Sequence, residues 1–101
     1  MTQVIISPQA DADWDEILDR LAERAGYAVA ARYAADLDMI YDNLTASPAM
    51  GSPRPQYGRR TRMVVLSPYL VFYDHVTETN AVQIVRILDG RRNITRGLVR
   101  Q

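Results

Sequence analysis

The stretch AVQIVRILDG, residues 81–90, sets how the rest of the chain has to be arranged. It is apolar on both faces apart from Gln83 and Arg86, which is typical of a strand in the middle of a sheet. Asp89-Gly90 is a strong turn signal that ends this strand. Two more strand-like segments precede it, each followed by a short turn: strands 60–66 and 69–76, turns 67–68 and 77–80. The C-terminal half therefore predicts an antiparallel meander of three strands.

The N-terminal half has a helical period instead. A short β-branched strand at 3–7 leads to Ser7, a good N-cap, and to Pro8, which fits the first helical position. Apolar residues then recur every three to four positions until Gly26, which ends the helix. A second helical pattern occupies 27–45. Because only a residue or two separate them, the two helices are expected to form an antiparallel hairpin.

The order strand, helix, helix, three-strand meander predicts an α+β fold of two layers, with the helical hairpin packed on one face of the sheet. The other face is left to solvent or to a partner. The first strand cannot pair by a hairpin with its sequence neighbour, so we expect it beside the third strand of the meander. Segment 46–57 holds four prolines or glycines and no apolar period, which predicts an ordered loop or crossover. It is not a linker between domains, because too little chain follows it for a second core. We expect a single domain over residues 1–101.

The composition excludes several classes of protein. The chain has 101 residues, is 48% hydrophobic and 24% charged, and contains no cysteine. These values are those of an ordinary soluble domain without disulfides, thiolate zinc sites or a cysteine nucleophile. No apolar run approaches the ~20 residues that cross a membrane, and the N-terminus lacks the features of a signal peptide. We expect a cytoplasmic protein that needs no metal and no cofactor.

The net charge of zero conceals a division between the two halves. Residues 1–50 hold nine acids and three arginines, a net charge of −6, and residues 51–101 hold nine arginines and three acids, a net charge of +6. Every basic residue is arginine, whose planar guanidinium favours bidentate contacts with phosphate or carboxylate. The split predicts an acidic helical layer and a basic layer that binds an anionic partner. A GC-rich genome is the other explanation for the arginines.

The element order, the strand YLVFY at 69–73 and above all VRILDGRRNI at 85–94 resemble the RelE/ParE superfamily of toxins from bacterial type II toxin–antitoxin systems. The resemblance covers essentially the whole chain. It implies one of two activities, since RelE-like members cut messenger RNA in the ribosomal A site whereas ParE-like members poison DNA gyrase. It also implies a cognate antitoxin, commonly ParD-like, whose C-terminal segment folds on the toxin and offers acidic and apolar side chains to it.

The segment after Asp89 separates these two activities. Metal-independent RNA cleavage needs a base, an acid and cations. After Asp89 there is no His, Tyr, Lys or Glu, and arginine stays protonated. We therefore predict no catalytic residue and favour a ParE-like toxin over a RelE-like mRNA endonuclease or a degenerate antitoxin-binding module. The one histidine, His75, follows Asp74 on a strand, where neighbours point to opposite faces, so Asp74 does not orient it.

Partner-binding residues, for gyrase or antitoxin, are expected among the arginines of the C-terminal half: Arg59, Arg60, Arg62, Arg86, Arg91 and Arg92. The basic C-terminal tail, residues 91–101, is expected to add to this contact surface. The first three alternatively protect an edge strand from aggregation. Arg86 is isolated in a buried strand, so it either forms an ion pair with an acid such as Asp74 or lines the surface that a target contacts. No platform of interleaved aromatic and basic residues is present, and we expect no direct sequence-specific binding of nucleic acid.

Overall fold

The computed structural model describes residues 2–101, which form five strands, three α-helices and one 3₁₀ turn. In chain order these are β1 (Gln3–Ile6), α1 (Pro8–Ala25), α2 (Tyr27–Ala46), β2 (Ser52–Pro53), β3 (Thr61–Leu66), β4 (Tyr69–Val76), the 3₁₀ turn (Thr77–Thr79), β5 (Ala81–Asp89) and α3 (Arg96–Val99). The strands and helices expected from the sequence agree with these bounds to within one residue. The two-residue β2 and the one-turn α3 were missed, because elements this short carry no detectable period.

All five strands belong to one sheet in the order β1-β5-β4-β3-β2. β1 runs parallel to β5, with Gln3 opposite Ala81 and Ile6 opposite Ile84, and the other neighbours are antiparallel. The predicted meander and the predicted place of the first strand beside its last strand are both confirmed. β5 thus lies in the interior of the sheet, and its two apolar faces each pack into a core, Ile84 and Ile87 under the helices and Leu88 on the opposite face.

Local signals fix the helical hairpin. The Ser7 hydroxyl accepts a hydrogen bond from the N–H of Ala10 at 3.0 Å, and Pro8 is the first residue of α1. Gly26 separates α1 from α2 with φ = 93°, a backbone conformation that a β-carbon disfavours. The chain therefore reverses direction at a single residue, and the two helices run antiparallel side by side.

The hairpin covers one face of the sheet and buries the main core there. Its principal members are Ile17, Leu37 and Leu44 from the helices and Val71, Tyr73, Val82, Ile84 and Ile87 from the sheet. The acids of the N-terminal half lie on these two helices, as the charge split predicted. Within residues 2–101 no helix is both long and apolar enough to cross a membrane.

The opposite face of the sheet is not left open along its whole length. A second, smaller core forms there around Phe72, Leu88 and Val99, with Tyr57 and Leu98 packed against it. The C-terminal segment therefore folds back over the sheet, and the expectation that this face is free for solvent or a partner is wrong at this end. The physical reason is that Phe72 and Leu88 have apolar side chains on that face, and packing against α3 removes these side chains from water.

Candidate binding surface at the basic end of the sheet

Arg86 ties β5 to α1 and to α3. Its guanidinium donates to both carboxylate oxygens of Asp13, from Nε at 2.7 Å and from Nη2 at 2.9 Å, and to the carbonyl of Leu98 from Nη1 at 2.6 Å. Asp13 also accepts from the backbone N–H of Ile87 at 3.0 Å, in the part of β5 beyond its pairing with β1. The hydrogen bond to Asp13 raises the pKa of Arg86. The ion pair expected for Arg86 thus forms with Asp13 and not with Asp74.

The burial of Arg86 limits its use as a partner-binding residue. Only 6% of the residue is exposed, and the C-terminal segment lies over it. A partner reaches this guanidinium only after α3 moves away. In this conformation Arg86 therefore stabilises the structure and does not contribute to the accessible surface.

Arg62 holds the loop between α2 and β3. Its Nη1 donates to the carbonyls of Ala49 at 3.0 Å and Gly51 at 2.7 Å. At the same place the Tyr73 hydroxyl accepts from the N–H of Gly51 at 2.9 Å and donates to the carbonyl of Pro48 at 2.8 Å. Arg62 is therefore half-buried and partly committed to holding this loop.

Arg59 and Arg60 are exposed and lie in a turn immediately before β3, not in the strand itself. Arg60 Nη1 pairs with Glu78 Oε2 at 2.6 Å, and hydrogen bonds from Thr77 and Arg60 lower the pKa of Glu78. Both partners are largely exposed, so the pair contributes little to stability. The side chain of Arg59 forms no hydrogen bond or ion pair within residues 2–101. Alternation between the sheet faces starts only at Thr61.

Two arginines of the basic tail, which is expected to be a contact surface, join this region although they are not among the six arginines named from the sequence. Arg100 Nη1 lies 3.0 Å from both carboxylate oxygens of Asp74 and 3.3 Å from the hydroxyl of Thr61, which itself donates to Asp74 at 2.6 Å. Arg96 is exposed on α3 nearby. The sequence shows the tail to be basic, but no local pattern places Arg100 beside a carboxylate 26 positions earlier.

Two shallow pockets share Arg59 and Arg60. We call the first the Arg96 pocket; it has a volume of about 240 Å³ and is lined by Gly58, Arg59, Arg60, Asp74, Arg96 and Arg100. The second, which we call the His75 pocket, has a volume of about 210 Å³ and is lined by Pro53, Arg59, Arg60, Thr61, Arg62, His75 and Thr77. Because Asp74 and His75 are adjacent on β4 and point to opposite faces, the pockets lie on the two sides of this end of the sheet.

Arg91 and Arg92 belong to a different surface. Arg91 forms a fork with Asp89, from Nε to Oδ1 at 2.9 Å and from Nη2 to Oδ2 at 2.6 Å, and this hydrogen bonding lowers the pKa of Asp89 to about 2. Arg91 lines a pocket of about 500 Å³ together with Arg20 and Arg24 of α1. Arg92 is exposed and forms no side-chain ion pair in the part of the chain that the structure describes. The six predicted arginines are thus divided among a buried position and two separate surfaces. On the second of these, Arg92 lines a cleft with Arg20 and with the acids Asp13, Glu16 and Asp89.

The chemistry available on these surfaces is mainly that of fixed positive charge. Arginine remains protonated in proteins, and the His75 pocket is lined by one imidazole, that of His75 itself. Asp74 hydrogen-bonds with Thr61 and Arg100 on the other face, as expected from its position next to His75. Among residues 2–101 no group of three or more His, Cys, Asp or Glu side chains is arranged to hold a metal ion.

The helical hairpin carries an apolar groove on its outer side. The groove has a volume of about 340 Å³ and is lined by Leu18, Asp19, Ala22, Tyr27, Ala30, Ala31 and Ala34. Tyr27, at the start of α2, is 86% exposed. The small alanine side chains allow another backbone to approach closely, and a solvent-exposed tyrosine beside them is typical of a contact surface for a second protein.

Comparison with known proteins identifies relatives over nearly the full length. Residues 4–94 match the family model described as ParE toxin of type II toxin-antitoxin system, parDE. The chain is 28% identical over 97 residues to Toxin ParE1 of Mycobacterium tuberculosis, covering 96% of this chain and 98% of that protein. It is 30% identical over 94 residues to Toxin ParE3 of Caulobacter vibrioides, covering 93% and 92%.

A solved structure has the same fold. The structure entitled Chromosomal ParDE TA system from P. aeruginosa superposes with a TM-score of 0.73 at 23% identity, covering 88% of this chain and 96% of that one. The fold and the family resemblance expected from the sequence are therefore both confirmed. The chain belongs to the ParE toxin family of type II toxin–antitoxin systems.

Proposed function

We propose that this ParE-family toxin inhibits growth in the cytoplasm by binding DNA gyrase and stabilising its cleaved-DNA state, with no chemistry of its own, and that a ParD-like antitoxin neutralises it. Membership of a toxin–antitoxin family supports the toxin role and the existence of an antitoxin. Poisoning of gyrase requires only that the toxin bind a protein–DNA complex in its cleaved state. Binding surfaces, rather than acid–base groups, are then the functional parts of the molecule.

The carboxylates beside the solvent-facing arginines are already held in hydrogen bonds, and this is the observation that carries the proposal. Arg91 and Arg92 lie beside α1, whereas Arg59, Arg60 and Arg96 lie at the other pockets, and the two groups share no lining residue. A nuclease needs a base and an acid within hydrogen-bond reach of one phosphate. In the Arg96 pocket the carboxylate of Asp74 is bound by Thr61 and Arg100, and on the second surface the carboxylate of Asp89 is bound by Arg91. Both surfaces offer arginines that can bind an anionic partner.

The apolar groove of the helical hairpin supports a separate site for the antitoxin. An amphipathic helix can place its apolar side chains into a groove of this kind, because the alanines leave room and Tyr27 supplies a large exposed ring. Burial of apolar surface contributes roughly 25 cal/mol per Å², which makes such a groove a good source of affinity for a segment that folds on binding. We assign this groove to the apolar side chains of the antitoxin.

One observation favours a second candidate, a RelE-like endonuclease. His75 shares its pocket with Arg59, Arg60 and Arg62, which places an imidazole beside three cations. Such a histidine could act as general base or acid on RNA held by the arginines. The nuclease candidate therefore depends on His75, whereas the gyrase candidate does not.

The two candidates separate in a paired assay with a His75→Gln variant. Purified toxin is incubated with gyrase, ATP and supercoiled plasmid, and in parallel with translating ribosomes, and cleaved DNA and cleaved mRNA are quantified. We expect cleaved plasmid to increase with toxin concentration equally for the native protein and His75→Gln, with mRNA intact. Cleavage of mRNA that is lost in His75→Gln, without cleaved plasmid, would overturn the gyrase proposal.

The role of the second basic surface is tested in the same plasmid assay. Arg91→Ala/Arg92→Ala removes two exposed charges, so we expect unchanged folding and at least a tenfold increase in the toxin concentration needed for half-maximal cleavage, equivalent to about 1.4 kcal/mol. Arg32→Ala removes an exposed charge from α2 and serves as the matched control. Equal potency of the double variant and Arg32→Ala would exclude Arg91 and Arg92 from the gyrase contact.

The antitoxin site is tested by replacing one of two alanines on α2 with arginine. Ala31→Arg places a long charged side chain in the apolar groove, whereas Ala35→Arg places it on an exposed position of the same helix outside the groove lining. With the antitoxin encoded beside this gene as ligand, calorimetry should show at least a tenfold loss of affinity for Ala31→Arg and little change for Ala35→Arg. The same affinity for both would place the antitoxin elsewhere.

A further inference from the structure

The Arg96 pocket concentrates positive charge to a degree that neither the fold nor stability requires. Four of its six lining residues are arginines, from the turn before β3 and from the C-terminal segment, and one is the carboxylate of Asp74. Asp74 accepts from Thr61 and Arg100, and Arg60 is paired with Glu78. Arg59 and Arg96 have no hydrogen-bond or ion-pair partner within residues 2–101, so two guanidinium groups face solvent uncompensated.

The floor of this pocket is built rather than incidental. Thr61 is only 2% exposed and donates to Asp74, which in turn holds Arg100 Nη1 at 3.0 Å. Gly58 makes this packing feasible, because a β-carbon there would lie 2.4 Å from the Thr61 hydroxyl and 3.0 Å from Arg100 Nη1. Asp74 therefore fixes the guanidinium of Arg100 in orientation while offsetting part of its charge, and an anion that binds there meets N–H groups already in place.

The lining also indicates the class of anion. An acidic peptide that folds onto a protein obtains much of its affinity from the burial of apolar side chains. The Arg96 pocket is lined by arginines, one aspartate and one glycine, so it offers no apolar side chain to such a peptide. Single-stranded nucleic acid binds largely through stacking on aromatic rings, and no aromatic side chain lines this pocket. Arginines without apolar or aromatic neighbours match what is needed to contact the phosphate oxygens of a duplex.

We propose that the Arg96 pocket binds the phosphodiester backbone of duplex DNA without reading its sequence. Arg59, Arg96 and the pre-oriented Arg100 contact the phosphate oxygens, and Arg60 adds a further cation at the rim. This deepens the proposed function, because a toxin bound to gyrase lies against DNA that gyrase holds, and a direct backbone contact adds affinity for the cleaved complex. The interaction itself needs no gyrase and is tested without it.

The test measures binding of a fluorescein-labelled 20-base-pair DNA duplex by anisotropy between 50 and 200 mM KCl. Each phosphate contact adds roughly 0.9 to the slope of log K against log salt, so Arg59→Ala/Arg96→Ala should reduce that slope by about 1.8 and the affinity at 50 mM KCl by at least tenfold. Arg59→Lys/Arg96→Lys keeps both charges and should keep most of the slope. Arg32→Ala removes an exposed charge of α2 that lines none of the basic pockets and is the control.

Circular dichroism and urea unfolding of each variant establish that the fold is intact. No binding of the duplex by the native protein at 50 mM KCl would overturn the proposal, as would an equal loss of affinity in the Arg32→Ala control. Tighter binding of a poly-glutamate peptide would assign the pocket to an acidic protein segment, and tighter binding of a single strand would exclude the duplex. If the toxin does not bind the duplex but still causes gyrase to cleave plasmid, the DNA-binding proposal is wrong and the gyrase proposal is unaffected.

Discussion

Replacing Asp13 tests whether the Arg86 network holds the helical layer, the sheet and the C-terminal segment together. In the native protein the Asp13 carboxylate accepts two hydrogen bonds from Arg86 and one from the backbone of Ile87, and both charged side chains are largely buried, at 14% and 7% exposure. Asp13→Ala leaves the guanidinium with the carbonyl of Leu98 as its remaining partner and leaves the Ile87 N–H without an acceptor.

The magnitude follows from the cost of an unpaired buried charge. Removal of one partner of a buried ion pair costs about 3–5 kcal/mol, which is a large part of the 5–15 kcal/mol that stabilises a typical domain. Asp13→Asn keeps an oxygen that can accept from the Ile87 N–H but loses the charge, so we expect a loss smaller by roughly 1 kcal/mol. Asp13→Leu/Arg86→Met removes both charges and should be more stable than Asp13→Ala.

Urea unfolding monitored by circular dichroism measures these differences at constant m-value. Asp15→Ala is the matched control, because Asp15 is an exposed acid two positions further along α1. If Asp13→Ala lowers the free energy of unfolding by less than about 1 kcal/mol, or by no more than Asp15→Ala, the Arg86 network does not stabilise the fold as argued.

Two further predictions concern single hydrogen-bonded groups. Arg91→Ala should raise the pKa of Asp89 from about 2 toward its ordinary 3.8, as measured by NMR titration of the carboxyl carbon. Because the pKa of Asp89 is lower in the folded state than in the unfolded state, its contribution to stability is present above pH ~4 and is lost as the pH falls toward ~2. A pKa that stays at about 2 in Arg91→Ala would contradict this assignment. Tyr73→Phe removes a buried hydroxyl that accepts from Gly51 and donates to a loop carbonyl, so unfolding by urea should show a loss of about 1–3 kcal/mol. Tyr57→Phe, whose hydroxyl has no hydrogen bond within residues 2–101, should cost less, and equal losses would refute the role of the Tyr73 hydroxyl.

The sequence predicts the framework well because its signals are local. Ser7 and Pro8 mark the start of α1, Gly26 its end, and runs of β-branched and aromatic residues between short turns mark the three strands of the meander. Each of these signals involves residues within about one helical turn or one strand of each other. Even the place of β1 follows, since a first strand without a hairpin partner protects its edge beside the last strand.

The candidate surfaces are predicted less completely, because they depend on residues far apart in the chain. The set of arginines named from the sequence includes Arg59 and Arg92, which are exposed, but also Arg86, which is buried against an acid 73 positions earlier. Conversely, Arg96 and Arg100 come to the Arg96 pocket only because the tail folds back across the sheet. A charge pattern gives the sign of a surface but not which charges face solvent.

The amino-acid pattern alone thus establishes the order of helices and strands, the packing of an acidic hairpin on the sheet and the resemblance to the ParE toxins, since periodicity, capping and turn chemistry act over a few residues. The partner of each arginine is established only when distant segments meet in three dimensions. Asp13 lies next to Arg86 because β1 is too short to pair with the end of β5, and Asp74 lies next to Arg100 because α3 packs over Phe72. A buried charge must be paired because its desolvation is costly, whereas an exposed charge remains available to a partner.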